Sequence, residues 1–202
     1  MRKIVLSLAV LALVASPALA GKYNKAVDIG QKAPDISGLP AVEGQKDTSV
    51  SLSDIQEDVV VVVFLANHCP VVQAYEDRLI DFVNDYKGKS VKVVGVSVSL
   101  LPQDKIPGIK DYMKDKGSNY VYAYDESQDV GRAYGASVTP EFFVLDKDRV
   151  IRYMGAMDDS PQNEAKVTKT YLRDAVDALL AGKSPEITET RATGCGIGIK
   201  QK

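Results

Sequence analysis

The feature that most constrains the fold is the continuous apolar run from Val59 to Leu65, VVVVVFL. Valine is branched at Cβ and favours extended backbone, and an apolar run without polar alternation is typical of a strand buried on both faces. Directly afterwards, apolar residues recur at three- and four-residue steps between Val71 and Tyr86, which predicts a helix with one apolar stripe that Gly88 ends. A doubly buried strand followed by an amphipathic helix indicates a layered α/β domain.

The rest of the chain continues this alternation. Residues 21–58 are rich in turn formers, and the elements after the first helix are predicted as strands at 91–100, 120–124, 141–145 and 150–154 and helices at 106–116, 126–134 and 164–180. Asp146 to Arg149 forms a tight turn between the last two strands. Because β-α-β connections are right-handed and parallel while the hairpin is antiparallel, we expect a mixed sheet in one compact domain.

The two ends of the chain are predicted to lie outside this domain. Residues 1–20 have a basic start, an apolar stretch and a small-residue cleavage site between Ala20 and Gly21, the pattern of a secretory signal peptide. Their apolar run is shorter than the ~20 residues of a membrane span. We therefore expect a periplasmic or secreted protein without a membrane anchor, with its domain at 21–182. Residues 183–202 are predicted to be a flexible tail with no core pattern of its own.

Charge and composition narrow the classes of ligand. The formal net charge is −2, or −4 without the two basic residues of the signal peptide, which gives no electrostatic reason to expect nucleic acid or an anionic membrane as a partner. The chain has one histidine, His68, and no Cys-x-x-Cys motif, so we expect no metal and no organic cofactor. Export would place its two cysteines, Cys69 and Cys195, in an oxidising compartment that permits one disulfide.

Cys69 is the candidate nucleophile. It lies where the buried strand ends and the helix begins, with Pro70 at the first helical position, which suits the fixed φ of proline. The positive end of the helix dipole and the first backbone N–H groups favour a thiolate at this position, and a protonated His68 would add to the effect. The alternative is an inert core thiol. A metal role for the His68–Cys69 pair is not favoured, because no third ligand is nearby in the sequence.

Several segments resemble a known family. The stretch FLANHCPVV, from Phe64 to Val72, resembles the point where strand, motif and helix meet in thioredoxin-like proteins. GQKAPD, from Gly30 to Asp35, and SLSD, from Ser51 to Asp54, are similar to the redoxin branch, the AhpC/TSA superfamily, which includes peroxiredoxins and thiol oxidoreductases. The motifs NHCP and YEDRL and the Gly194–Cys195 pair look most similar to an exported, peroxiredoxin-like subgroup. The resemblance implies a thioredoxin-like fold, a mixed central sheet flanked by helices, with an N-terminal redoxin extension.

The resemblance also assigns a second part of the site. A proline at the start of a core strand is out of place unless it makes a special turn. Thr139–Pro140 stands where thioredoxin-like proteins have their cis-proline loop, which implies a cis bond lying against Cys69. Pro140 would then shape a groove for an incoming peptide or disulfide. We interpret Glu141 as an edge-strand carboxylate that faces water, with a proton acceptor near the sulfur as the alternative.

The chain also departs from both branches of the family. Val72 takes the place of the second cysteine of the thioredoxin motif, and Val63 takes the place of its buried acid. Peroxiredoxins have Thr or Ser and Pro where this chain has Ala66 and Val62, and their peroxidatic cysteine would align near Val72. The helix thus carries no resolving thiol.

Three roles are open for Cys195. It could be an incidental cysteine, a permanent cross-link to Cys69, or a resolving thiol on a tail that Gly194, Gly196 and Gly198 make mobile.

We predict an exported thiol–disulfide oxidoreductase that uses Cys69 on thiols and disulfides of proteins or small molecules. One alternative is an antioxidant thiol peroxidase acting on peroxides. Another is a non-catalytic binding module that keeps the fold.

Overall fold

The computed structural model describes residues 21–200, so the predicted signal peptide at 1–20 lies outside the described residues. The strands are β1 (Leu39–Glu43), β2 (Lys46–Val50), β3 (Val59–Phe64), β4 (Val91–Ser97), β5 (Val121–Tyr124), β6 (Val138–Thr139), β7 (Glu141–Leu145), β8 (Ile151–Gly155) and β9 (Cys195–Gly196). The helices are α1 (Pro70–Asp85), α2 (Ile106–Lys116), α3 (Asp129–Tyr134) and α4 (Tyr171–Leu180). Among the helices of residues 21–200, none combines the length and hydropathy that crossing a membrane requires.

Seven strands form the central sheet, in the order β2-β1-β5-β4-β3-β7-β8. Strand β4 runs parallel to both β3 and β5, and the remaining pairs are antiparallel. The predicted mixed sheet is therefore confirmed. Strands β6 and β9 form a separate two-stranded sheet, which lies at the candidate site described below.

The valine run occupies β3, between β4 and β7, and all six of its residues are buried. Val61 and Val63 belong to the core that α1 and α4 cover, whereas Val60 and Val62 belong to a second core on the other face, with Tyr134 of α3. Because side chains alternate along a strand, burial of successive valines requires cover on both faces of the sheet. This explains why the run lacks polar alternation.

The helix predicted over 164–180 is shorter than expected, since α4 begins at Tyr171. Glu164–Lys166 forms a single 3-10 turn instead. Asp159 accepts hydrogen bonds from the backbone N–H and the hydroxyl of Thr168, at 2.9 Å and 2.5 Å, and these bonds hold the intervening loop away from a helical path. The apolar periodicity alone does not report this competition between side chain and helix.

The segment before β3 contains the hairpin β1–β2, which the sequence does not predict. Four of the five residues of β2 are exposed, so it lacks the apolar alternation that reveals a half-buried strand. The turn residues Gly44 and Gln45 have φ of 52° and 69°, the left-handed conformation of a tight hairpin turn.

The C-terminal segment packs along the domain, and the prediction that it lacks a core pattern is wrong. Ile197 packs against the second core, and Cys195, Ile197 and Ile199 are partly buried while Gly196 and Gly198 between them are exposed. This period of two is the pattern of an extended segment with one side against the protein. It escapes notice in the sequence because glycine separates the apolar residues.

Candidate active site

Cys69 is fully buried at the junction of β3 and α1. It occupies the N-cap position of α1, and Pro70 is the first helical residue. The backbone N–H of Cys69 donates to the carbonyl oxygen of Ala66 at 3.0 Å, which turns the chain from the strand into the helix. The sulfur therefore lies at the positive end of a 16-residue helix, in the arrangement that favours a thiolate in the reduced protein.

Cys69 and Cys195 form a disulfide, with 5.9 Å between their Cα atoms and 126 positions between them in the sequence. Neither cysteine is free. Val72, the residue in place of the second cysteine of the thioredoxin motif, is buried in the core beneath α1. The partner thiol of Cys69 thus comes from the C-terminal segment rather than from the helix.

The loop that contains Pro140 lies directly against the sulfur. The Thr139–Pro140 peptide bond is cis, and both residues are buried. The carbonyl oxygen of Thr139 lies 3.2 Å from Sγ of Cys69, a distance at which a reduced thiol could donate a hydrogen bond. The structure thus brings Cys69, Pro140 and Cys195 together.

Glu141 is buried, with 8% of its surface exposed, and the prediction that it faces water is wrong. Strand β7 lies between β3 and β8 rather than at an edge of the sheet. The carboxylate oxygen Oε2 accepts hydrogen bonds from the backbone N–H groups of Ser137 and Val138, at 2.8 Å and 3.4 Å. Burial raises the pKa of Glu141 and these hydrogen bonds oppose the rise. Its contacts assign it to holding the loop before Pro140.

The C-terminal segment adds a strand to this loop. Thr139 pairs with Cys195 and Val138 with Gly196 in antiparallel register, and the backbone N–H of Ile197 donates to the carbonyl oxygen of Ser137 at 3.0 Å. A Cβ atom on Gly194 would collide with the carbonyl oxygen of Thr139. Glycine at 194 therefore permits close approach, a role different from the mobility expected of it.

A polar cluster that the sequence does not reveal supports the other side of the site. Asp104 is fully buried after β4, and its carboxylate accepts from the backbone N–H of Asn67 at 2.6 Å and pairs with Nδ1 of His68 at 2.6 Å. The Asn67 side chain accepts from the hydroxyl of Tyr122 at 3.0 Å. Since β3 and β4 are parallel, their carboxyl ends meet at one edge of the sheet. A predicted parallel pairing of these two strands therefore indicates that residues 67–68 and residue 104 lie close together.

His68 is more exposed than its neighbours, with 37% of its side chain accessible. It borders a cleft of about 300 Å³. The lining is mainly apolar and includes Leu65, Val98, Leu101, Thr139 and Ile197. Thr139 and Gly196 adjoin the disulfide in this wall, so the cleft opens beside it. Across residues 21–200, no cluster of three His, Cys, Asp or Glu side chains could hold a metal ion.

This site and the mixed sheet that carries it define a thioredoxin-like protein. A family model described as Redoxin matches residues 28–172, and the chain belongs to the Redoxin family. No curated protein matches the chain.

Solved structures show the same relationship. An uncharacterized conserved protein from Geobacillus kaustophilus is 33% identical, with a TM-score of 0.79 over 87% of this chain and 94% of that one. A hypothetical protein from Sinorhizobium meliloti 1021 is 32% identical, with a TM-score of 0.78 over 86% and 96%. The thioredoxin domain of a thiol-disulfide oxidoreductase from Bacteroides vulgatus is 25% identical, with a TM-score of 0.52 over 62% and 86%.

Proposed function

We propose that this protein is an exported thiol–disulfide oxidoreductase in which Cys69 is the nucleophile and Cys195 is the resolving thiol. The observation that carries the proposal is the Cys69–Cys195 disulfide, formed at a helix N-terminus and against the Thr139–Pro140 loop. Membership of the Redoxin family and the likeness to a thiol-disulfide oxidoreductase domain support the same chemistry. The signal-peptide pattern predicted at residues 1–20 supports export to a compartment in which disulfides persist.

The reaction consists of two thiol–disulfide exchanges. The Cys69 thiolate attacks one sulfur of a substrate disulfide, so that a mixed disulfide forms on Cys69 and the other substrate sulfur leaves as a thiolate. The Cys195 thiolate then attacks the Cys69 sulfur, forms the intramolecular disulfide and releases the second substrate thiolate. The substrate disulfide is reduced to two thiols and the two cysteines are oxidised. An external dithiol then reduces the intramolecular disulfide by two further exchanges and is itself oxidised to a disulfide.

Each element of the site has a part in these steps. The N-terminus of α1 stabilises the Cys69 thiolate both as nucleophile and as leaving group. The edge of β6, which β9 occupies in the disulfide form, offers backbone hydrogen-bonding groups to an extended substrate peptide. His68, on the rim of the cleft with Nδ1 held by Asp104, can present Nε2 to a departing thiolate.

The test is to follow reduced protein with oxidised glutathione by mass spectrometry after acid quenching. We expect the intact chain to pass to the intramolecular disulfide, Cys195→Ser to stop at one glutathione per chain, and Cys69→Ser to react no faster than free cysteine. Equal reactivity of Cys69→Ser and the intact chain would overturn the proposal.

Hydrogen peroxide serves as the comparison substrate for the same three proteins. Rapid, Cys69-dependent consumption of peroxide, with glutathione disulfide left unreacted, would assign the chain to the thiol peroxidases instead. If the native protein keeps its disulfide in excess dithiothreitol, the disulfide is a permanent cross-link and not part of a redox cycle.

A further inference from the structure

Helix α3 carries a face that contacts the C-terminal segment. Gln128 precedes the helix, and Gly131 and Arg132 follow at three and four positions, which places the three residues on one side. At Gly131 a Cβ atom would lie 2.8 Å from Cγ1 of Val98 and 3.4 Å from Cδ1 of Ile199, so the glycine makes room for Val98 and lies in van der Waals reach of the isoleucine. This face, formed by Gln128, Gly131 and Arg132, is called the α3 face below.

Gln128 bridges the domain and the segment with its side-chain amide. The residue is 2% exposed; Nε2 donates to the carbonyl oxygens of Val98 at 2.8 Å and Gly198 at 3.0 Å, and Oε1 accepts from the backbone N–H of Lys200 at 2.9 Å. Its backbone has φ of 61°, a left-handed conformation that is unfavourable for a residue with a Cβ atom. The hydrogen bonds of the Gln128 side chain therefore hold its backbone in this unfavourable conformation.

Arg132 completes the contact with Lys200. Its guanidinium donates from NH2 to the carbonyl oxygen of Lys200 at 2.8 Å, and from NH1 to Asp129 at 2.6 Å. Both backbone groups of Lys200 are thus bonded to the α3 face. Since every hydrogen-bond partner on the segment is a backbone group, these bonds fix the position of the segment along the α3 face rather than the identity of its side chains.

We propose that Gln128 and Arg132 are positioning residues that dock the C-terminal segment and thereby set the effective concentration of Cys195 at Cys69. The proposal rests on the proposed function, because it concerns the second exchange, in which Cys195 displaces the substrate thiolate from Cys69. A thiol on a free flexible linker reaches an effective concentration in the millimolar range. Docking at the α3 face, five residues beyond Cys195, restricts the segment to the path on which the two sulfurs meet.

The test measures two equilibria in glutathione redox buffers. The first is formation of the intramolecular disulfide in the full chain; the second is the mixed disulfide of Cys69 with glutathione in a Cys195→Ser background. We expect Arg132→Met and Gln128→Met each to lower the first equilibrium constant, by about fivefold for each hydrogen bond to the segment that is lost, one for Arg132 and two for Gln128. The second constant should stay unchanged, and Arg132→Lys should recover part of the loss.

Arg173→Met is the matched control, because Arg173 lies on α4 and pairs with Asp85. It should leave both equilibria unchanged. The proposal would be overturned if neither Gln128→Met nor Arg132→Met lowered the first equilibrium constant. It would also be overturned if both constants shifted in parallel, because the variants would then have perturbed Cys69 itself. Arg132 is partly exposed, so its variant keeps the test sound if Gln128→Met does not fold. Failure of Cys69 to form any mixed disulfide in the Cys195→Ser background would count instead against the proposed function.

Discussion

At position 141 a carboxylate is buried in the central sheet, and its burial has a consequence for pH dependence. Burial raises its pKa above the ordinary 4.5, so the folded protein binds this proton more tightly than the unfolded chain does. The stability that this group contributes is present below pH 4.5 and is lost as the pH rises through the folded-state pKa. We predict that the free energy of unfolding of Glu141→Gln, minus that of the native chain, increases as the pH rises from about 3.5 to about 8. The glutamine keeps an acceptor for Ser137 and Val138.

The gain should be about 1.4 kcal/mol for each unit by which the pKa is raised. Urea unfolding across this pH range measures it. Burial also raises the pKa of Glu76, but Glu76 is present in both proteins and cancels in the difference. A difference in free energy that does not vary with pH would contradict the prediction.

Single residues also show where sequence reasoning ends. The place of Cys69 at the start of a helix could be predicted because a strand-to-helix junction is a local signal, whereas the cis bond before Pro140 was implied by the resemblance to thioredoxin-like proteins. Asp104 could not be assigned from local pattern, since its role depends on the parallel pairing of β3 and β4, which brings it to Asn67 and His68. The burial of Glu141 depends on which strands flank β7, and the local sequence does not show this.

At the scale of elements, the pairing of β9 with β6 depends on the size of residue 194. A methyl group on Gly194 would collide with the Thr139 carbonyl oxygen, and overpacking of this kind costs about 1–3 kcal/mol. We predict that Gly194→Ala accelerates amide hydrogen exchange at Ile197, whose N–H is bonded to Ser137, by about fivefold or more in the disulfide form. Two-dimensional NMR of the disulfide form measures the exchange rate.

Gly196→Ala is the matched control for this change. No atom lies within 4 Å of a Cβ at position 196, so exchange at Ile197 should stay within about twofold of the native rate. Equal acceleration by the two substitutions would show that chain stiffness, rather than collision with Thr139, governs the pairing.

The elements differ in how far the sequence predicts them. Strand β3 follows from a continuous apolar run, and helix α1 follows from apolar residues at three- and four-residue steps. The start of α4 and the hairpin β1–β2 depend on side-chain hydrogen bonds and on exposed strands, which apolar periodicity does not record. The C-terminal segment has a pattern of period two, but it needs the domain as a partner before it becomes an ordered strand.

For the whole molecule, the Cys69–Cys195 disulfide closes a loop of 126 positions. In the chain-entropy model, closure of a loop of this length removes enough freedom from the unfolded chain to contribute about 5 kcal/mol of stability. We predict that reduction lowers the free energy of unfolding by about 2–5 kcal/mol. The slope of this free energy against urea concentration should become steeper, because the reduced unfolded chain exposes more surface.

Urea titrations with and without dithiothreitol measure this effect. The Cys69→Ser/Cys195→Ser double variant is the control, and reductant should not change its unfolding. An equal response to dithiothreitol in the native chain and the double variant would show that the stabilisation does not come from the cross-link.

The two cysteines of the disulfide differ in accessibility, and under the proposed function this difference bears on how the oxidised protein is reduced. Cys69 is wholly enclosed, whereas Cys195 is partly exposed beside the cleft. Under the proposed function, we therefore expect a thiolate of an electron-donating protein to attack the Cys195 sulfur, so that Cys69 departs as the thiolate that the helix dipole stabilises. The sulfur that reacts with substrate and the sulfur that reacts with the donor would then be different atoms, and one site would serve two unlike partners.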